Sequence, residues 1–398
     1  MKRLLLTILA LVAMTAGVQT VWAAEPYAVY TSDNTTLTFY YDNLRESRTG
    51  STFDMNINDA YPGWRGYRPN VTRVIFDASF ANARPTSTYY WFHQMKNLQS
   101  ITGLSYLNTS EVTLMTCMFY GCEKLGSLDV SHFNTTKVTD MRSMFDSCKD
   151  LTSLDVSSFN TANVTNMSSM FSNCYNLTSL DLTNFNTTNV TTMAYMFSQC
   201  TRLISANVSS FNTSNVTDMN RMFTTCFKLE SLDLSNFYTP KVTDMQEMFY
   251  SCRILKSLDL GRFNTAKVTN MASMFGDCGK LTTIYVGKGW STEAVTQSSS
   301  MFWVCNNLVG GAGTTFDSNH TDAAYAHIDG GPSNPGYFTE KEPKRGDANL
   351  DGTVDIADVV AVLNAMANDS NAPQFNVNGD AAVDIADVVA VLNIMAQQ

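Results

Sequence analysis

The hydrophobic positions in the middle of the chain recur at a fixed spacing. "LTSLDVSSFNTANVTNMSSMFSNCYN" (Leu151–Asn176) is followed directly by "LTSLDLTNFNTTNVTTMAYMFSQCTR" (Leu177–Arg202). The Met-Phe pair begins at Met118, Met144, Met170, Met196, Met222, Met248 and Met274, always 26 residues apart, and once more at Met301 after 27. A period in this range is the signature of a solenoid, in which each unit buries its apolar face only against its neighbours. Within one unit, Leu154 and Val156 alternate with Asp155 and Ser157, the two-residue period of a short strand. Met167, Met170, Phe171 and Cys174 stand at i, i+3, i+4 and i+7. That spacing predicts one face of a short helix, with Thr165 as its N-cap. "FNT" supplies the turn chemistry between the two halves. A helix this short is marginal alone and depends on packing against adjacent repeats. The expected class is an α/β solenoid of 26-residue repeats, each with one short strand and one short helix.

The columns run from Asn97 to Leu308. Residues 24–96 read as an N-terminal cap. In it "VTRVIFDASF" is a degenerate first rung and "YYWFHQM" takes the place of the Met-Phe segment. Residues 309–338 break the columns and are expected to seal the far end, since a solenoid needs capped ends. The charged stretch "TEKEPKR", residues 339–345, reads as a hydrophilic linker to a unit of different pattern, residues 346–398.

The first 23 residues, "MKRLLLTILALVAMTAGVQTVWA", have a basic start, an apolar stretch and small residues at Val21 and Ala23. They read as a secretory signal peptide rather than a membrane span. No cysteine lies near the cut, so a lipid-anchored start is not expected, and no later apolar run is long enough to cross a bilayer. The expected location is the exterior or the bacterial cell surface. Apolar residues at 44% of the chain can fill a core. The net charge is −10, and loss of Lys2 and Arg3 with the signal would make it −12. A chain this acidic, without a cluster of Lys and Arg, is a poor nucleic-acid partner.

Three columns invite chemistry. Eight of the nine cysteines stack at Cys122, Cys148, Cys174, Cys200, Cys226, Cys252, Cys278 and Cys305. Rungs about 4.8 Å apart are within disulfide reach, but parallel side-chain vectors suit the bond badly. The column therefore reads as a ladder of small buried hydrophobes, and with no C-x-x-C pair it does not read as a zinc site. Cys117 falls in a column otherwise holding Ser143, Ser169, Tyr195, Arg221, Glu247 and Ser273, and is expected to be an exposed free thiol. The strand column Asp129, Asp155, Asp181, Asn207, Asp233 and Asp259 projects to solvent. It is either a cation- or ligand-binding stripe or a solvated face whose acids bond to neighbouring Ser and Thr. The four histidines, His93, His132, His320 and His327, form no Ser-His-Asp order and no metal-spaced pair.

The end of the chain has its own pattern. "GDANLDGTVDIADVVAVLN" returns in part 29 residues later as "NVNGDAAVDIADVVAVLN". With Asp347 at loop position 1, Asn349, Asp351, Thr353, Asp355 and Asp358 fall at positions 3, 5, 7, 9 and 12. Alternate oxygens of a tight loop converge on one point, which suits calcium, and Gly352 permits the sharp turn. The second loop offers Asn376, Asn378, Asp380, Ala382, Asp384 and Asp387, with Asn at position 1 and Ala381 in place of the glycine. It is expected to bind calcium more weakly or not at all.

The repeat unit L-x-x-L-D-[VL]-S-x-F-N resembles the leucine-rich repeat. Its extended form, V-T-x-M-x-x-M-F-x-x-C-x-x-L, resembles the BspA-like family of bacterial surface leucine-rich repeats. That resemblance implies a surface protein for adhesion or ligand binding and implies no catalytic chemistry. The terminal unit resembles a type I dockerin. The Asp at position 12, a following helix at Ile356–Met366 and the duplication carry the likeness. Val354–Ala367 and Val383–Ala396 match at 13 of 14 positions. The likeness implies a small all-α calcium-binding module and a cohesin-like partner on a scaffold or cell surface. Loop positions 10 and 11, the partner-contacting positions of dockerins, are Ile356-Ala357 and Ile385-Ala386. An apolar pair there points to a partner unlike the best-known cellulosomal ones.

The leading expectation is a non-enzymatic binding protein, with repeats presenting a surface for ligand or host-protein adhesion and a calcium-dependent module for docking to a cohesin-like partner. One alternative is a polysaccharide-binding accessory of a glycan-degrading complex. Concave aromatics would support it, and only Tyr106 and Tyr285 are candidates. The other is an enzyme of the parallel β-helix type, which would need carboxylates clustered with Lys or Arg on one rung.

Overall fold

The computed structural model describes residues 23–341, 344–349 and 353–397. The signal-peptide reading falls on residues that, apart from Ala23, lie outside this set, as do Asp351 and Gly352. Among the described residues no helix is long and apolar enough to cross a membrane.

The chain opens with β1 (Glu25–Thr31), β2 (Thr36–Asp42) and β3 (Gly50–Asp54), in which β1 pairs antiparallel with both neighbours. Strands β4 (Arg73–Phe76) and β5 (Ser100–Thr102) then add in parallel, giving the order β3-β1-β2-β4-β5. This sheet changes from hairpin to solenoid pairing within one element, which is what an entry cap must do. Its core is aromatic: Phe39 stacks on Phe76 at 4.6 Å and on Trp91 at 5.1 Å, and the Trp64 indole N–H donates to the Trp91 carbonyl at 2.7 Å.

Beyond β5 the repeats stack in parallel. The strand half is short: β6 (Ser179–Asp181) pairs with β7 (Ser205–Asn207), and β8 (Ser257–Leu260) with β9 (Thr283–Val286), each in register one repeat on. The predicted repeat helix does not form. Ser169 and Asn173 take positive φ, as do the equivalent residues of the other rungs, and left-handed residues cannot continue a right-handed helix. Consecutive turns replace it. The N–H groups of Met167, Ser169, Phe171 and Asn173 donate to carbonyls of the next rung, while Met170 and Ser172 close turns onto the third residue before them. Thr165, expected as an N-cap, instead donates its N–H to Thr139 of the rung before. Parallel bridges continue this ladder from Ser87 to Gln297. The apolar positions still face inward, because a run of turns also brings every third or fourth residue to one side.

The core is one continuous stack. Phe119, Phe145, Phe171, Phe197, Phe223 and Phe249 lie face to face with centroids 5.1–5.9 Å apart. The "FNT" corner clamps rungs together: the buried Thr161 hydroxyl donates to the Asn186 carbonyl at 3.0 Å and accepts from the Asn186 N–H at 2.8 Å. The same exchange recurs at Thr135 and Thr187. All eight ladder cysteines are buried and reduced. Each donates its thiol to a phenylalanine carbonyl of the preceding rung, as Cys200 does to Phe171 at 3.1 Å.

At the far end β10 (Thr339–Glu340) pairs in parallel with β9. Two of the residues assigned to the linker are thus the last strand of the solenoid, and Lys341 follows with an N–H bond to Val286. The cap below is organised by Asp329, whose carboxylate accepts from the N–H groups of Ala312, Thr314 and Gly331 and from the Thr314 hydroxyl. The only α-helices among the described residues are α1 (Ile356–Ala367) and α2 (Ile385–Met395). They share a small separate core of Val359, Val362, Val388 and Val391.

Candidate functional site

The aspartate stripe is present and solvent-facing, but its oxygens have local work. Asp155 accepts from the Ser157 N–H at 2.9 Å, Asp181 from Thr183 at 3.1 Å and Asp233 from Ser235 at 3.0 Å. Asn207 does the same with Ser209, whose hydroxyl bonds it at 2.8 Å. Asp129 accepts both the N–H and the hydroxyl of Ser131, which holds its carboxyl below the usual range. Asp259 caps Gly261 and pairs with Lys341 at 2.7 Å. Each side chain thus closes the turn that follows it, and the column serves the repeat geometry.

Cys117 is not exposed. It is 6% accessible. Its rung neighbour in the N-terminal cap is Tyr90, whose hydroxyl it meets, and burial raises its pKa. The cover comes from a residue outside the 26-residue phase, so the column pattern did not reveal it. The ladder thiols are also pushed up by burial, Cys200 and Cys305 to about 12, which leaves little thiolate for reaction.

The two C-terminal loops share one device. Asp355 and Asp384 are N-caps, and Asp358 and Asp387 close capping boxes with them. The Asp358 carboxylate accepts from Asn349 N–H at 2.9 Å and Asp355 N–H at 2.8 Å; Asp387 does so from Asn378 and Asp384, both at 2.9 Å. Both position-12 carboxylates are 0% accessible, and among the described residues no salt bridge reaches either. Both carboxylates lie beside the small valine core, held by backbone N–H groups. The donor set is all hard oxygen, which fits calcium in the first loop; Asp347, also buried, belongs to it, with Asn349 and Thr353 beside it. Among the described residues, no three His, Cys, Asp or Glu side chains already form a metal-binding group.

The second loop is closed by its own amides. Asn376 donates to the Asp380 carbonyl at 2.6 Å and accepts from Gly379 at 2.8 Å, while Asn378 donates to the Asp380 carboxylate and accepts from its N–H, both at 2.8 Å. Asp380 also accepts from Ala382 N–H at 2.9 Å. Its left-handed residue is Gly379 rather than Ala381.

Ile356, Ala357, Ile385 and Ala386 are all exposed at the helix starts. The structure extends each pair into a stripe that position-by-position reading missed. Ile356, Val360 and Leu363 on α1, and Ile385, Val389 and Leu392 on α2, are between 44% and 62% exposed. The i, i+4, i+7 spacing is visible in the sequence, and the buried face beside it is Val359 and Val362 on one helix and Val388 and Val391 on the other.

No curated protein matches the chain. Among the solved structures that match is a leucine-rich repeat protein from Eubacterium ventriosum ATCC 27560. It is 15% identical, covers 71% of this chain and 93% of that chain, and superposes with a TM-score of 0.26. The architecture accordingly rests on the rung-to-rung ladder and not on that superposition. A family model described as "Mycoplasma protein of unknown function, DUF285" matches residues 86–205, 175–283 and 233–327. These overlapping matches span the stacked turns and more than half of the chain. The chain therefore belongs to this family, and its repeats are leucine-rich repeats of the BspA-like kind.

Proposed function

We propose that this protein is a non-enzymatic binding protein of the bacterial surface, whose repeats present a ligand surface and whose C-terminal unit is a dockerin-like module. Calcium held by Asp347, Asn349, Asp351, Thr353, Asp355 and Asp358 would neutralise the buried acids of the first loop and supply charge compensation, not chemistry. The second loop, with Asn376 at position 1 and Ala381 in place of the glycine, binds calcium weakly or not at all. The observation that carries docking is the duplicated stripe. A monomer gains nothing by exposing six large aliphatic side chains in two matching rows, and a partner that buries one row would be served equally by the other. The partner is a cohesin-like module with an apolar contact face.

The test is capture of a single envelope protein by the immobilised full chain in calcium and in chelator. Ile356→Asp alone and Ile385→Asp alone should each retain the partner, and the double variant should lose it. Capture that survives both the double variant and chelation would refute the docking assignment.

A further inference from the structure

The turn segments that replace the predicted helices stack into a face of their own, on the opposite half of the repeat from the aspartate strands. One column of this face reads Tyr120, Asp146, Ser172, Ser198, Thr224 and Tyr250. Ser172, Ser198 and Thr224 form a floor of small hydroxyls between Asp146 and Tyr250, with Tyr120 one rung beyond Asp146. At one end Tyr120 stacks on His93, with ring centroids 4.8 Å apart and planes at 15°. At the other, the Tyr250 ring lies across Gly276, where an added Cβ would come within 3.0 Å of it. A cleft of about 330 Å³ runs from Asp146 to Tyr250. Four rung steps of about 4.8 Å make it about 19 Å long.

The wall of the cleft is where the repeats stop repeating. The column that is Ser at Ser143, Ser169 and Ser273 becomes Tyr195, Arg221 and Glu247 on three successive rungs. The core beneath does not change: Met196, Met222 and Met248 are buried like every other member of their column. Packing therefore does not call for the substitution. The three side chains are wired together in advance. Arg221 makes a two-pronged contact with Glu247 at 2.7 and 3.0 Å, and donates to the Tyr195 hydroxyl at 2.9 Å. At the other end Asp146 is 8% accessible, and the neutral donors Ser147 and Asn173 bond it at 2.8 and 3.0 Å.

We propose that this cleft binds a neutral oligosaccharide lying along the solenoid axis, with about one sugar per rung. The proposal deepens, and rests on, the reading of the repeats as a ligand-binding surface. Fixed carboxylate, amide and guanidinium groups on a row of hydroxyls match the adjacent hydroxyls of a pyranose, each of which both donates and accepts. Tyr195 and Tyr250, which line the cleft, supply flat faces for the C–H sides of the sugar ring. Acidic ligands are disfavoured, because Glu247 already neutralises Arg221 and Asp146 would repel them. A peptide would need apolar pockets for its side chains, and this floor is made of serine and threonine.

The experiment is titration calorimetry of the full chain in calcium against cellohexaose, xylohexaose, mannohexaose and a chitin hexamer, with collagen and fibrinogen as protein probes. At least one saccharide is expected to bind with a Kd tighter than about 1 mM. Arg221→Ala and Tyr250→Ala should each weaken that binding by about tenfold or more. Tyr250→Phe, which keeps the ring, should retain it, and Asp181→Asn on the strand face should leave it unchanged. All three side chains lie outside the stacked core, and an unaltered thermal transition confirms folding. Saccharide binding lost with Asp181→Asn but kept with Arg221→Ala would place the ligand on the other face and overturn the proposal. Binding of a protein probe alone would overturn the saccharide assignment and leave the wider reading standing. Binding of no probe would overturn both.

Discussion

The repeat region and the C-terminal unit solve the problem of stability in opposite ways. In the repeats each rung inherits a core from the one before, with phenylalanines, thiols and threonines continuing in register over a long stack. In the turn half, alternate N–H groups find carbonyls on the neighbouring rung, and the one aspartate buried there, Asp146, is bonded by Ser147 and Asn173. The C-terminal unit has two short helices, a core of about seven buried residues and the buried carboxylates Asp358 and Asp387. A unit that small buries little apolar surface for the entropy it must overcome. Repetition stabilises the first region from within, whereas the proposed calcium would stabilise the second.

The largest expected effect separates the two directly. The described α-helices all lie in the C-terminal unit, so the helical circular-dichroism signal reports that unit alone. Chelation should abolish it while the urea transition of the repeats stays in place. A helical signal indifferent to chelator would mean that the small core suffices, and the contrast would fail. Next comes Phe197→Ala in the middle of the ring stack, which should cost about 3–5 kcal/mol and shift the repeat transition without changing calcium affinity.

A smaller effect belongs to the N-terminal cap. His93 is held neutral by burial and by the nearby Arg68, its pKa lowered to about 4. An unfolded histidine titrates near 6.5, so the unfolded state takes up the proton first. The contribution of His93 is therefore full above about pH 6.5 and is lost as the pH falls toward 4. Urea midpoints at pH 7 and pH 5 should show a drop that His93→Asn removes; an equal drop in the variant would assign it elsewhere. The smallest effect is a null. None of the nine thiols, Cys117 included, should react with a maleimide in the native protein, and all should react in denaturant. Rapid labelling of Cys117 alone would restore the exposed position that its column suggested.

Much of this was legible in the sequence, for physical reasons that also explain the misses. The period, the inward columns and the buried cysteine ladder follow from the requirement that apolar residues meet across rungs. The helix was misread because i, i+3, i+4, i+7 spacing is met equally by a run of turns. The deciding feature, the left-handed conformation of Ser169 and Asn173, depends on the inter-rung ladder and has no local signature at serine. Both C-terminal loops were legible as alternating oxygen patterns, yet the hydrogen bonds by which Asn376 and Asn378 hold the second appear only when the amides are placed. The cleft between Asp146 and Tyr250 was missed because the turn face was expected to be the exposed side of a helix, where a mixed polar column carries no shape.

The most direct test of the contrast is hydrogen exchange by mass spectrometry on the full chain, in calcium and in chelator. The ladder amides of Phe171, Phe197 and Phe223 should exchange slowly in both conditions, and those of Val362 and Val391 slowly only in calcium. Equal protection of the two helices with and without the metal, or loss of protection in the ladder on chelation, would contradict the account.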